Sequence, residues 1–172
     1  MKTRHKGRSG PPEPEAPWNE VVPGLWMGGH HWLDPAGQRH PVRVDAEFDL
    51  VVSLFTAPGH GPAPGVEHLV AEMPDAALDA ARLAAVQALA ECTATAVAAG
   101  RRVLVRCHSG YNRSGLVVAQ ALIELGAGSA DAVRRVRERR SPWALNNEVF
   151  LAYLETGLDT ARLLGSLDAS GN

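Results

Sequence analysis

The apolar positions of the chain recur with two periods. Val103-Leu104-Val105 is a short aliphatic run of strand length, and Leu116-Val117-Val118-Ala119-Gln120-Ala121-Leu122-Ile123 has the length and Ala/Leu content of a buried helix. Phe48-Asp49-Leu50-Val51-Val52-Ser53-Leu54-Phe55 is almost continuously apolar between turns, the pattern of a central parallel strand covered on both faces. Residues 57–65 hold three Pro and three Gly and read as a loop, followed by a short strand over 66–70. Trp18 to Gly29 reads as a hairpin turned at Pro23-Gly24. Leu83, Val86, Leu89 (or Ala90), Thr93 and Val97 fall at helical spacing and predict a crossover helix over 76–99, stopped by Gly100. Beyond Gly126 and Gly128, Ser129 is placed to cap a helix with Asp131 in its first turn and a narrow seam of Ala132, Val133 and Val136. Ser141-Pro142-Trp143 ends it. Asn146-Asn147-Glu148 opens a last helix with the stripe Val149, Phe150, Tyr153, Leu154 and Leu158. The alternation predicts an α/β fold with a mostly parallel central sheet flanked by helices.

Length adds that this is one domain: 172 residues bury one proper core. Residues 1–17 carry basic residues and four prolines with little to bury, so a disordered tail is expected there, a catalytic-size domain over 18–165 and a disordered end over 166–172. A net charge of −2 offers no overall field for nucleic acid or a membrane surface, and neither is expected as a partner. Two cysteines fit a reducing compartment better than a disulfide framework. With no apolar run near ~20 residues and no apolar leader, the expectation is a soluble cytoplasmic protein. Richness in Ala, Arg and Gly with few Lys points to a high-GC bacterial source. His30, His31 and His40 invite a metal reading, but no helical or strand spacing converges them and no Cys or carboxylate cluster accompanies them. Trp32, Pro35 and Gly37 mark a surface loop instead, so no metal and no cofactor is expected.

The chemistry lies between the strand at Val103 and the helix at Leu116. A loop leaving a strand and entering a helix aims its N–H groups at one spot and adds the positive end of the helix dipole, which favours an anion. Cys107 and Arg113 bracket that spot. A cysteine over amide donors and near a guanidinium is favoured as thiolate, with such placements lowering a thiol pKa from about 8.5 to ~3.5–7.5. Arg113 matches two phosphate oxygens at once. Ser114 is close enough to donate to the departing sulfur, and Gly110 suits a turn that needs positive φ or close approach. His108, Ser109, Tyr111 and Asn112 complete the substrate-binding loop. Phosphoryl transfer to sulfur also needs a proton donor for the leaving oxygen, an Asp or Glu on a loop near the phosphate, and Asp75 is the candidate. Asp75 also suits the N-cap of the following helix, and Asp79 is the alternative acid.

Cys107-His108-Ser109-Gly110-Tyr111-Asn112-Arg113-Ser114 resembles the signature of the cysteine-dependent protein tyrosine phosphatase superfamily: Cys, five residues, Arg, then Ser or Thr, with Gly110 at the family's loop glycine. The short chain resembles the dual-specificity phosphatases, and Pro23-Gly24-Leu25-Trp26-Met27-Gly28 is similar to their opening Pro-x-Leu-aromatic-x-Gly hairpin. The likeness runs over about 18–164. It implies hydrolysis of phosphotyrosine, with phosphoserine and phosphothreonine as further substrates, on a phosphorylated protein, and it puts Asp75 where the family has its acid loop. It also implies two open points. Arg106 stands where most members have a His that holds the loop and tunes the thiol, and Cys92 is either buried in its helix or a second cysteine that protects the nucleophile as a disulfide. Arg134, Arg135, Arg137, Arg139 and Arg140 are either a solvated face or a basic rim that draws in phosphorylated substrates. The loop holds no Lys, which members acting on phosphoinositides often carry. The alternatives are a phosphate-binding pseudophosphatase, a phosphatase of a phosphoinositide or nucleotide, and thiolate chemistry such as sulfur transfer or arsenate reduction. Oligomeric state is left open.

Overall fold

Successive residues of the inner strands face two different cores. In the computed structural model, which describes residues 10–171, five strands pair in the order β1 (Trp18–Val22), β2 (Leu25–Gly28), β7 (Val103–Arg106), β5 (Leu50–Ser53) and β6 (Glu67–Val70). Within this sheet only the β1–β2 pair is antiparallel. Leu25, Met27, Leu50, Val52, Val103 and Val105 point to a large core, while Val51 and Leu104 point to a smaller one, as the pleat requires. The large core takes residues from all five helices: Leu83 of α1 (Ala80–Ala98), Leu116 of α2 (Arg113–Glu124), Val136 of α3 (Ser129–Arg139), Phe150 of α4 (Glu148–Thr156) and Leu158 of α5 (Leu158–Ser170). Leu25, Leu104 and Leu116 have no exposed surface, and each such burial contributes about 1.5–3 kcal/mol.

The smaller core holds no helical residue among those described. Val42, Val44 and Phe48 fill it, with Trp18, Trp26 and Trp32 packed around. Phe48 meets the edges of Trp18 and Trp26 at 5.1 and 5.5 Å. The helices thus flank the sheet from one face, and the loop residues Val42, Val44 and Phe48, with Trp32 of the ribbon, cover the other. A two-stranded ribbon, β3 (His31–Leu33) with β4 (Arg39–Pro41), stands where the sequence predicts a surface loop; His31, which opens it, and His30 just before it are buried.

Local capping departs from expectation in ways that matter for the site. Asp79, not Asp75, caps α1: its carboxylate accepts from Arg82 N at 2.8 Å, so the helix starts four residues later than the apolar pattern indicates. Cys92 is exposed rather than buried, because it lies off the stripe of Leu83, Val86, Leu89, Ala90 and Thr93. Ser129 does not cap α3, whose N-cap is Gly128, although Asp131 sits in the first turn and pairs with Arg134 and Arg135. The single last helix is two helices, parted by Gly157 at φ 96, and Val149 is exposed.

The expected disordered ends differ too. Residues 1–9 lie outside the described residues, but from Pro12 onward the segment is packed on the domain. The carbonyls of Pro12, Pro14, Ala16 and Pro17 accept from Tyr111 Oη, Leu33 N, Arg140 Nη1 and Gly29 N. At the other end α5 continues to Ser170. Among the described residues no helix is long and apolar enough to cross a membrane.

Candidate active site

β7 delivers the chain to Cys107, and α2 receives it at Arg113. Between them every carbonyl is tied away from the loop's centre. Cys107 O accepts from His30 Nδ1 at 2.8 Å and His108 O from His30 N at 2.8 Å. Ser109 O and Gly110 O each accept from Arg140, through Nη2 and Nε at 3.1 Å. Tyr111 O takes Leu145 N at 3.0 Å, and Asn112 O takes Leu116 N at 2.8 Å. In a planar trans peptide the N–H lies opposite the C=O, so six outward carbonyls leave the amides of residues 108–113 facing inward. Those amides have no backbone acceptor among the described residues. Added to the N-terminus of α2, they make an anion site.

Gly110 meets both of its expected demands. It has φ +76, and a Cβ there would lie 2.5 Å from Gly28 O and 2.7 Å from Arg140 Nη2. Leu145 adopts φ 56 to bring its N–H to Tyr111 O, a strained conformation of the kind that costs about 1–3 kcal/mol, while Arg137 holds its carbonyl at 3.0 Å.

The structure brings the predicted groups together unevenly. Cys107 is buried, with Ser114 Oγ 3.2 Å from its sulfur. Arg113 donates through Nη1 to Met73 O at 3.1 Å and lies 5.8 Å over the Phe55 ring; its buried Nε has no partner among the described residues. The guanidinium is thus fixed at one corner and unspent at another. Asp75 Oδ2 accepts from Asn112 Nδ2 at 2.9 Å and Oδ1 from Asn147 Nδ2 at 2.7 Å, which places the carboxylate against the loop. Asp79 instead pairs with Arg82 at the start of α1. Of the residues expected to bind substrate, Tyr111 and Asn112 turn their side chains to the protein: Tyr111 Oη donates to Pro12 O, and Asn112 Oδ1 accepts from Asn147 N. His108 lies between the rings of His31 and Phe55, at 4.8 and 5.0 Å.

Three supporting residues escape a reading of the sequence. Arg140 is hidden among five arginines, yet Ala132, Val136 and Arg140 are spaced four apart, so the apolar seam itself carries Arg140 inward. Its Nη1 also reaches Asn19 Oδ1 at 2.9 Å. Arg134 and Arg135 pair with acidic side chains on their own helix, and Arg137 is held by carbonyls. Asn147 caps α4 through its Oδ1 while its amide holds Asp75. His30 stands in the loop before β3 and carries no local signal of its role.

Arg106 is 1% exposed and turns away from the loop, donating to Ser53 Oγ, His60 O and Gly61 O at 3.0, 2.9 and 2.6 Å. Burial pushes its pKa down to about 10, so it stays a cation at neutral pH. Burial likewise pushes His30 down to about 4, against the opposing effect of its bond to Cys107, with Arg106 adding to the fall. His31, His60, His68 and His108 are lowered by burial as well. The unfolded chain therefore binds protons between pH 6.5 and 4 that the folded chain refuses, and stability falls as pH drops through that window. His30 alone contributes a slope of up to about 1.4 kcal/mol per pH unit. Thermal midpoints at pH 7 and 5 check this; an equal or higher midpoint at pH 5 would contradict it.

No family model and no curated protein sequence matches the chain. Solved structures do. Human DUSP28 is 29% identical, with 88% of this chain and 99% of that one covered at a TM-score of 0.64. A mouse dual specificity phosphatase complexed with zinc tungstate is 26% identical, over 94% and 96% of the two chains, at 0.61. PTPMT1, solved also in complex with PI(5)P, shares the fold at 16% identity, 90% and 99% coverage and a TM-score of 0.55. The chain thus has the fold and the strand-loop-helix of the cysteine-dependent protein tyrosine phosphatase superfamily, in the form of the dual-specificity phosphatases.

Proposed function

We propose that the protein is a cytoplasmic phosphatase that hydrolyses phosphotyrosine, and phosphoserine or phosphothreonine, on protein substrates through a phosphocysteine. The carrying observation is the loop in which six carbonyls are bonded outward around a buried sulfur, with Arg113 at its edge and Ser114 Oγ at 3.2 Å. Cys107 Sγ attacks phosphorus as the bond to the leaving oxygen breaks, and Asp75 gives that oxygen its proton. Water then attacks the phosphocysteine and loses a proton to Asp75, and the P–S bond breaks with Ser114 donating to the departing thiolate. The inward amides of residues 108–113 and the unspent edge of Arg113 hold the equatorial oxygens throughout. At Tyr111 and Asn112 substrate recognition falls to the backbone, since their side chains are engaged elsewhere.

A non-protein phosphomonoester is the second reading, and the likeness to PTPMT1, itself solved with PI(5)P, speaks for it. The absence of Lys from residues 108–112 speaks against it. Turnover of p-nitrophenyl phosphate separates a phosphatase from a phosphate-binding pseudoenzyme, and phosphotyrosyl peptide against PI(5)P as competing substrates separates the two readings. Arg113→Lys keeps the charge but loses the forked geometry, and kcat/KM is expected to fall ~10²–10³-fold. A near-parental rate in that variant would mean that another group clamps the phosphate.

A further inference from the structure

His30 takes two successive carbonyls of the loop, His108 O with its backbone N–H and Cys107 O with its ring. The residue sits 77 positions before the nucleophile and is 3% exposed. Gly29 lets it lie that close: a Cβ at Gly29 would come within 2.7 Å of His108 O. A carbonyl only accepts, so Nδ1 must carry the proton of the ring. Phe55 packs against the ring edge-on at 5.1 Å and His60 stacks on it at 5.2 Å. The His60 carbonyl is in turn held by Arg106 at 2.9 Å. A continuous set of contacts therefore runs from Arg106, the neighbour of the nucleophile, through the His60 loop to His30 and back to Cys107 O.

We propose that His30 is a positioning residue for the nucleophile, and that Arg106 acts on the loop through it. By fixing the Cys107–His108 peptide with its oxygen outward, the imidazole aims the His108 N–H at the sulfur and the phosphate. Released, that peptide can turn its carbonyl dipole toward the sulfur and disfavour the thiolate. Ser114 Oγ lies 3.2 Å from the sulfur, and the other titratable or charged groups on and around the loop are Arg113, His108 and, behind it, Arg140, with Asp75 beyond Asn112. His30 itself stays neutral above about pH 4. The inference rests on reading Cys107 as the nucleophile.

The test is alkylation of Cys107 by iodoacetamide across pH 5–9, in a Cys92→Ser background because Cys92 is exposed and would react too. His30→Ala is expected to react about tenfold more slowly than its parent near pH 6 and to match it near pH 9. kcat/KM for p-nitrophenyl phosphate should fall in parallel near pH 6. His30→Asn, whose Nδ2 falls where Nδ1 lies, should stay within about threefold of the parent, while His30→Met, of similar bulk but without the donor, should behave as Ala. The Asn–Met pair decides the matter if the Ala variant fails to fold. Equal rates near pH 6 for the parent and His30→Met, or for His30→Asn and His30→Met, would overturn the proposal. A parent that reacts near pH 6 no faster than free cysteine would instead strike the nucleophile reading, and the role of His30 with it.

Discussion

Cys107→Ser is expected to lower p-nitrophenyl phosphate turnover by about 10⁴-fold or more while leaving anion binding in place. The hydroxyl that replaces the thiol is a poor nucleophile at neutral pH, and its hydrogen-bond partner, Ser114 Oγ at 3.2 Å from the sulfur, is no base. What holds the anion does not depend on the sulfur. The carbonyls of Ser109 and Gly110 stay bonded to Arg140, those of Cys107 and His108 to His30, and Arg113 keeps its contact with Met73 O. Tungstate or phosphate binding by calorimetry should therefore match the parent. Turnover within about tenfold of the parent excludes the covalent mechanism, because loss of a covalent nucleophile is worth far more. Lost anion binding with an intact fold would show that the loop is not organised from outside.

Asp75→Asn should slow phenyl phosphate by ~10²–10⁴-fold and p-nitrophenyl phosphate much less, since the worth of a proton grows with the basicity of the leaving oxygen. The basic limb of the pH–rate profile should vanish with it. The structure makes this a cleaner test than the sequence allows, because the cap of α1 is Asp79 and the substitution leaves that cap intact. It does disturb the partners, since Asn112 and Asn147 both donate to Asp75 and an amide offers them only one oxygen. A thermal midpoint measured alongside separates a moved loop from a lost acid. Equal slowing of both esters would take the proton donor away from Asp75, and the same leaving-group dependence in Asp79→Asn would move it there.

Both tests rest on a constellation whose elements the chain declares locally and whose assembly it does not. The strand at Val103–Val105, the glycine with positive φ at 110, the Cys–Arg–Ser spacing and the helix that follows are set by periodicity, turn chemistry and the needs of a phosphate, all within some twenty residues. The Trp18–Gly29 hairpin is legible for the same reason, as its turn residues and its pairing lie side by side. By sequence Asp75 suits both an acid and the N-cap of the next helix; the cap is Asp79, and what draws Asp75 to the loop instead is a pair of bonds from residues 37 and 72 positions away. The strap at residues 12–17 looks unable to fold by composition, yet its carbonyls are held by Tyr111, Leu33, Arg140 and Gly29, partners that exist only once the domain has formed.

The sequence by itself therefore determined the fold class and the strand-loop-helix that carries Cys107, Arg113 and Ser114, because the pattern of strand, turn and helix is set between near neighbours in the chain. Only the tertiary structure decided which of five arginines goes inside, which histidine meets the nucleophile's carbonyl, and where Arg106 turns. Those outcomes depend on desolvation and on hydrogen bonds that close over 30 to 77 residues. A buried guanidinium or imidazole is stable only where acceptors already converge, and such convergence is a property of the packed sheet and helices rather than of any stretch of chain.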